Sequence, residues 1–266
     1  MRILFLGDIF GKPGREAIKS FLPNFKKENQ VDLCIANCEN LSDGKGISEK
    51  SINEMLFAGI DIFSSGNHLW DKKESTAFIC KEKRIAKPLN YPKASLGFEF
   101  VKVEMNGVLV ILVTLCGQVF MSPVDSPFYA LDHFLKTLHL KGGNSKSLQK
   151  ITIVDFHAES TAEKRTFGMY FDGRISAMLG THTHVQTVDE QIMEKGTAYI
   201  TDVGMCGPHS SVIGITFESS FEKIRTNMPI RHETAKDGLQ INAVLIDIDE
   251  KSGKALKIKR IKENIL

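Results

Sequence analysis

Eight side chains of the kinds that bind metal ions or move protons occupy equivalent places along this sequence. Asp8, Glu39, Asn40, Asn67, His68, His157, His182 and His184 each stand at, or just past, the C-terminal end of a short apolar run. Parallel strands of an α/β sheet present those ends along one edge, the edge where such proteins hold their ligands. Three imidazoles, two carboxylates and two amide oxygens make a mixed nitrogen and oxygen donor set suited to Mn, Fe or Zn. Seven donors exceed what one tetrahedral ion takes. They suit two ions that share a bridging carboxylate, and Glu39 is the expected bridge. Metal-assisted hydrolysis is the chemistry such a pair performs. His68 follows Asn67 and is placed to donate a proton, or to steady developing charge, just outside the metals.

Spacing supports the convergence. His182 and His184 are two apart and point to one side of an extended segment. Gly180 before them permits a close backbone approach. Glu39 and Asn40 diverge within a strand and converge only if the chain turns, which the loop from Leu41 allows. A lone histidine at a strand end is more often structural. Four at one inferred edge, joined by two carboxylates, are poorly explained that way.

The elements that must position these groups are legible as apolar runs and helical periodicity. Arg2–Leu6 reads as a buried strand, followed by a Gly/Pro loop at Gly11–Gly14 and a helix from about Arg15 to Lys27. Asp32–Ala36 and Ile60–Phe63 are the next strands, with a helix between them capped by Ser48 and running to about Ala58. Strands alternating with helices imply parallel pairing under packed helices. Asn106-Gly107 marks a hairpin within residues 97–114. Residues 126–140 read as a helix and 141–149 as a Gly/Ser/Lys loop. Ile151–Val154, Ile175–Leu179 and Ala198–Ile200 are further strands, then comes a helix near 218–226, and two strands around 241–247 and 255–261 close the chain. No repeat or long polar linker divides it. The expectation is one α/β domain over residues 1–266 with a mixed double sheet.

Composition is that of an ordinary globular protein: 266 residues, 42% hydrophobic, 25% charged. The net charge of +2 argues against a dedicated nucleic-acid or membrane binder, since both concentrate positive charge. No apolar run approaches the roughly 20 residues of a spanning helix. The stretch between Arg2 and Asp8 is too short for a signal peptide. Five scattered cysteines lack a zinc or redox spacing and read as buried thiols. A cytoplasmic location is expected.

Asp8, Gly66-Asn67-His68, His157 and the Gly180–His184 run resemble the calcineurin-like metallophosphoesterase superfamily. The resemblance is closer to the bacterial YmdB family of phosphodiesterases. It is carried by Gly7-Asp8 with Gly11–Arg15, Glu39-Asn40, Gly44–Gly46, Gly66–Asp71, Asp155–Glu159, Gly180–Gln186 and Thr201–Met205. It implies a four-layer α/β/β/α sandwich of two mixed sheets and a cytoplasmic phosphodiesterase acting on cyclic nucleotides, 2',3' or 3',5', and other phosphodiesters. It also implies two divalent or mixed-valence ions, Fe or Mn, and self-association into a homo-oligomer. Most of the superfamily has a histidine two residues after the first aspartate. Here that residue is Phe10, and the resemblance gives its place to Asn40. The pattern assigns Asp8, Glu39, Asn40 and His184 to one metal, and Glu39, Asn67, His157 and His182 to the other.

Around this set, Gly11–Arg15 is read either as an anion site at a helix start or as an ordinary turn. Trp70-Asp71 is expected to support the Asn67-His68 loop, with Asp71 orienting His68 or capping a helix. The Asp202–Gly204 turn is expected to line the pocket through its backbone. His209 borders the site at most. His133, His139 and His232 are expected on the surface. Two rival functions stand beside the phosphodiesterase: a metal-dependent nuclease acting on RNA, and a non-catalytic regulator that binds a nucleotide through a retained metal site.

Overall fold

The computed structural model describes residues 1–140 and 149–265. Its strands are β1 (Arg2–Leu6), β2 (Asp8–Ile9), β3 (Leu33–Asn37), β4 (Ile62–Ser64), β5 (Phe100–Met105), β6 (Val108–Cys116), β7 (Gln149–His157), β8 (Ala177–Thr181), β9 (Gln191–Ile192), β10 (Ala198–Ile200), β11 (Met205–Pro208), β12 (Leu239–Ile248) and β13 (Ala255–Asn264). Its helices are α1 (Gly11–Glu28), α2 (Glu49–Ala58), α3 (Thr76–Ile79), α4 (Pro127–Leu140), α5 (Thr161–Phe171) and α6 (Phe217–Thr226).

The strands form two mixed sheets. One has the order β2-β11-β12-β1-β3-β4, with β13 also paired to β12; the other runs β5-β6-β7-β8-β10-β9. β1, β3 and β4 are parallel in the first sheet, as are β6, β7, β8 and β10 in the second. Alternation along each strand divides the apolar side chains between two faces. Ile3 and Phe5 of β1, Leu33 and Ile35 of β3, Leu112 of β6 and Ile153 of β7 meet between the sheets. Leu4, Leu6, Cys34 and Ala36 turn outward onto Ile18 and Leu22 of α1 and Met55 of α2. On the far side, Ile111, Val113 and Val154 pack against Phe134 of α4 and Phe167 of α5. The layers are therefore α/β/β/α.

Local signals behave as their chemistry requires. Ser48 caps α2 by accepting from Ser51 N, Ser51 returns the bond, and Gly59 ends the helix at φ +109°. Asn106 (φ 52°) and Gly107 (φ 74°) make the two-residue hairpin between β5 and β6.

One expectation needs correction. Residues 11–14 are not a loop, because α1 already begins at Gly11. Gly14 is there for packing: a Cβ would lie 2.4 Å from the Cys206 carbonyl oxygen. α5 has no counterpart among the expected elements; its Phe167 and Phe171 are buried, but its Thr161–Arg165 opening is polar. The loop expected at 141–149 lies outside the described residues, except Gln149, which opens β7.

Candidate metal centre

The predicted residues come from both sheets rather than one. Asp8 follows β1, Glu39 and Asn40 follow β3, and Asn67 and His68 follow β4, all in the first sheet. His157 ends β7 and His182 follows β8, both in the second. The site straddles the common edge where the parallel strands of both sheets terminate.

At its centre Glu39, His157 and His182 bring one donor atom each within 4.8 Å of one another. His157 Nε2 lies 3.1 Å from Glu39 Oε1, 3.1 Å from Asn67 Oδ1 and 3.0 Å from His182 Nδ1. Its other nitrogen is committed: Nδ1 donates to Thr181 Oγ1 at 2.8 Å, and that hydroxyl donates to Asp155 Oδ1 at 2.6 Å. Nε2 therefore faces a carboxylate oxygen, an amide oxygen and a second imidazole. One proton cannot satisfy all four lone-pair donors at once; a cation can.

Asp8 and Asn40 carry the same signature. Asp8 is fully buried, its Oδ2 accepts from His182 N at 3.2 Å, and its Oδ1 has no hydrogen-bond partner. Asn40 gives Nδ2 to the Gly44 carbonyl at 2.8 Å, and its buried Oδ1 also has no partner. An unsatisfied buried acceptor costs on the order of 1–3 kcal/mol, so these oxygens fit a metal's donors. His184 donates Nδ1–H to the Ile213 carbonyl at 2.9 Å, which leaves Nε2 unprotonated beside the cavity.

Electrostatics point the same way. Burial raises the Asp8 carboxyl well above the usual range, with Glu39, Asp202 and Asp155 adding to it. Burial also pushes Glu39 up, but His157 and His68 outweigh it and bring the group down to about 2. Burial lowers His157, yet Glu39, Asp8 and Asp155 lift it to about 9. Burial and the neighbouring His157 push His182 down to about 3. The buried carboxylates demand positive charge.

His182 and His184 do not converge by strand alternation. β8 stops at Thr181, and both histidines adopt left-handed backbone, φ 99° and 64°. Glu39 and Asn40 sit in a turn closed by Leu41 N on the Cys38 carbonyl, and both line the cavity. Gly180 and Gly66 permit close approaches: a Cβ would lie 1.8 Å from the Thr201 carbonyl oxygen in the first case and 2.3 Å from Glu39 Oε2 in the second.

His68 stands beside the cluster. Its backbone N–H donates to Glu39 Oε2 at 2.9 Å, and its Nδ1 lies 2.8 Å from Asp71 Oδ2, so Asp71 orients the ring. Trp70 packs on Tyr91 and donates to the Leu96 carbonyl, which supports this loop. Arg15 is tied to Glu54 and to the Leu41 carbonyl, and Gly11 N donates to the Asn40 carbonyl. That segment therefore braces Asn40. Asp202 does not line the cavity, contrary to expectation; its side chain holds the His182 loop from behind by accepting from Thr183 N.

A cavity of about 990 Å³ opens over the cluster, lined by Glu39, Asn40, His68, His182 and His184. Lys45, Arg231, His232 and Lys236 also line it, so His232 is a cavity residue and not merely a surface one. No role was legible in the sequence for Lys45, Arg231 and Lys236, because they sit in loops with no periodicity. Nor was one legible for Glu159, whose Oε2 lies 3.3 Å from His182 Nε2. His209 borders a separate, smaller cavity behind His184.

Two mixed sheets flanked by helices, with this edge between them, define a fold of the metallophosphoesterase type. Within that class the chain belongs to the YmdB-like protein family, whose model matches residues 4–261. It is 41% identical over 261 residues to a 2',3'-cyclic-nucleotide 2'-phosphodiesterase of Bacillus subtilis, covering 98% of this chain and 96% of that one. A phosphatase structure from Mycoplasma pneumoniae superposes with a TM-score of 0.92 at 36% identity, covering 99% of this chain and 93% of the other. A Thermus thermophilus protein gives 0.90 at 38% identity, covering 99% of both chains. Among the described residues no helix is long and apolar enough to cross a membrane.

Proposed function

We propose that this chain is a cytoplasmic, metal-dependent phosphodiesterase that hydrolyses small phosphodiesters, 2',3'-cyclic nucleotides foremost. The observation that carries the reading is the crowding of metal-ligating atoms around His157 Nε2, with the buried Asp8 Oδ1 and Asn40 Oδ1 lacking a hydrogen-bond partner. The name of the B. subtilis relative supports the substrate class.

Asp8, Glu39, Asn40 and His184 would hold one ion and Glu39, Asn67, His157 and His182 the other, with Fe or Mn suited to both. Such a pair supplies Lewis-acid charge to a phosphoryl oxygen and brings the pKa of water toward neutrality. The protein supplies the rest. Thr181 and Asp155 lock the His157 tautomer, and Glu159 steadies His182. Asp71 accepts from His68 Nδ1 and fixes the ring at the cavity, where its other nitrogen hands a proton to the leaving ribose oxygen. Lys45, Arg231 and Lys236 balance the charge of the bound phosphate.

The same cationic lining also suits a short RNA, which keeps the nuclease reading in play; a regulator that binds nucleotide without turnover is the third. Purified chain reconstituted with Mn²⁺ should convert 2',3'-cyclic AMP to the 3'-nucleotide, the product of 2'-bond cleavage. Faster cleavage of a short RNA would favour the nuclease. Binding of nucleotide without any product would leave only the regulator.

A further inference from the structure

Phe120 stands where neither packing nor backbone geometry calls for a phenyl ring. It is 90% exposed, so it adds nothing to the apolar cores. Met121 N donates to the Gln118 carbonyl at 3.4 Å and closes a four-residue turn with Phe120 at its third position. There its φ is 62°, in the left-handed region that turns of this kind fill with glycine or asparagine. A bulky side chain in that region strains the backbone, and residues so held cluster where ligands bind. The ring therefore opposes folding slightly, and its use lies elsewhere.

The chain holds this turn rigidly beside the metal centre. Glu163, in the first turn of α5, accepts from Gln118 N at 2.8 Å through Oε1 and from Val119 N at 3.2 Å through Oε2. Gln118 Nε2 donates to the Val124 carbonyl at 2.9 Å and closes the far end. Gly117, at the foot, has no room for a side chain: a Cβ would lie 2.6 Å from both Ala158 Cβ and Glu163 Oε2. That foot belongs to the site. Cys116, the last residue of β6, is the register partner of His157, and Gly117 N donates to the His157 carbonyl at 3.0 Å. Three residues span at most about 11 Å, so the Phe120 backbone stays that close to Gly117. Glu159, four residues before the clamp at Glu163, lines the cavity and reaches His182.

The cavity leaves a need that this ring meets. Its described lining holds one phenyl ring, Phe10, which is buried and meets His184 edge to face. Lys45, Arg231 and Lys236 can balance a phosphate, but a base finds no open phenyl or indole face among those residues. On the phosphodiesterase reading, on which this inference rests, we propose that Phe120 stacks on the nucleobase of the bound nucleotide and so selects nucleoside phosphodiesters over diesters without a base. Stacking on an exposed aromatic tolerates any base, because each has a π face. The preference is therefore for having a base, not for one base. A rigid pedestal suits that task, since a preordered ring loses little freedom when the base arrives.

Two cyclic diesters test this with the intact, Mn²⁺-loaded chain: 2',3'-cyclic AMP, and glycerol 1,2-cyclic phosphate, which has the same five-membered ring and no base. The quantity read is the ratio of their kcat/KM values. Phe120→Ala should lower that ratio about tenfold, through a raised KM for the nucleotide, within what stacking one base contributes. Phe120→Trp should keep it. Phe120→Gly should lower it as far as alanine does, yet melt no earlier than the wild type, because glycine takes the left-handed turn without strain. A purely structural role predicts earlier melting and equal losses on both diesters, and that result would overturn the proposal. So would an unchanged ratio in Phe120→Ala; a sedimentation mass altered in that variant would then assign the ring to a protein contact. A wild type that cleaves neither diester overturns the phosphodiesterase reading itself, and this inference with it.

Discussion

Lys164 Nζ stands 2.7 Å from Asp202 Oδ2, with the two side chains 0% and 1% exposed. The same ammonium donates to the Thr181 carbonyl at 2.8 Å, and Asp202 Oδ2 accepts from Thr183 N at 3.1 Å. One ion pair thus grips residues 181 and 183, between and beside the left-handed His182 and His184. Non-glycine residues held there cost on the order of 1–3 kcal/mol each and persist only when their surroundings over-determine them. Lys164→Met strands a buried carboxylate and should cost about 3–5 kcal/mol. Lys164→Met/Asp202→Asn, which removes the charge but keeps an acceptor for Thr183, should recover part of that. Urea unfolding of the two variants decides it; a double variant no more stable than the single one would show that the unpaired charge is not the source of the loss.

Loss of a ligand and loss of a proton donor should separate experimentally. His184→Ala is expected to lower metal content and phosphodiesterase activity together, since that ring lines the cavity while its Nδ1 is tied to Ile213. His68→Ala should retain its metals and lose about 10²- to 10⁴-fold in turnover, the usual worth of a positioned acid. Elemental analysis beside steady-state kinetics reads both. An active, metal-replete His184→Ala protein would refute the assignment of that ligand.

Most of what positions the centre was readable because the strands are short, apolar and abruptly ended. Leu6-Gly7-Asp8 and Leu179-Gly180-Thr181 announce both the strand and its stop. Membership of each strand in a sheet was not readable. β1 and β7 look alike as sequence, and only pairing separates them into two sheets. Nor did spacing reveal how His182 and His184 turn inward. An i, i+2 pair suggests a strand face, whereas the chain uses two left-handed residues that Lys164 and Asp202 hold in place from other elements. The cations of the cavity wall escaped notice for a related reason. Arg231 and Lys236 reach the site only because α6 folds back between β11 and β12, a long-range arrangement without a local signature.

Gly66 should be indispensable to the centre. A Cβ at that position would lie 2.3 Å from Glu39 Oε2 and 2.4 Å from His157 Nε2, inside contact distance of two proposed ligands. Gly66→Ala is therefore expected to push those side chains apart and weaken metal binding at least tenfold, the lower end of what disturbing a ligand's support costs. Titration of the metal-free protein with Mn²⁺, followed calorimetrically, measures this directly. Unchanged affinity would mean the loop relaxes without disturbing Glu39 and His157.

Thiol chemistry offers an independent check on the packing around the sheets. Cys34, Cys38, Cys116 and Cys206 are buried, and Cys80 is exposed. Burial raises the Cys34 thiol far above its ordinary value and pushes Cys206 up to about 12. A raised thiol pKa means less thiolate at neutral pH, and the thiolate is the reactive form. A disulfide reagent at pH 7 should therefore label one thiol quickly in the folded protein and all five in guanidinium. Cys80→Ser should abolish the fast phase. The four slow thiols should react only as fast as the protein opens, so metal loading should retard them if the ions tie the two sheets together at their common edge. A second fast thiol in the folded chain would mean that one of the cores around the sheets is open to solvent.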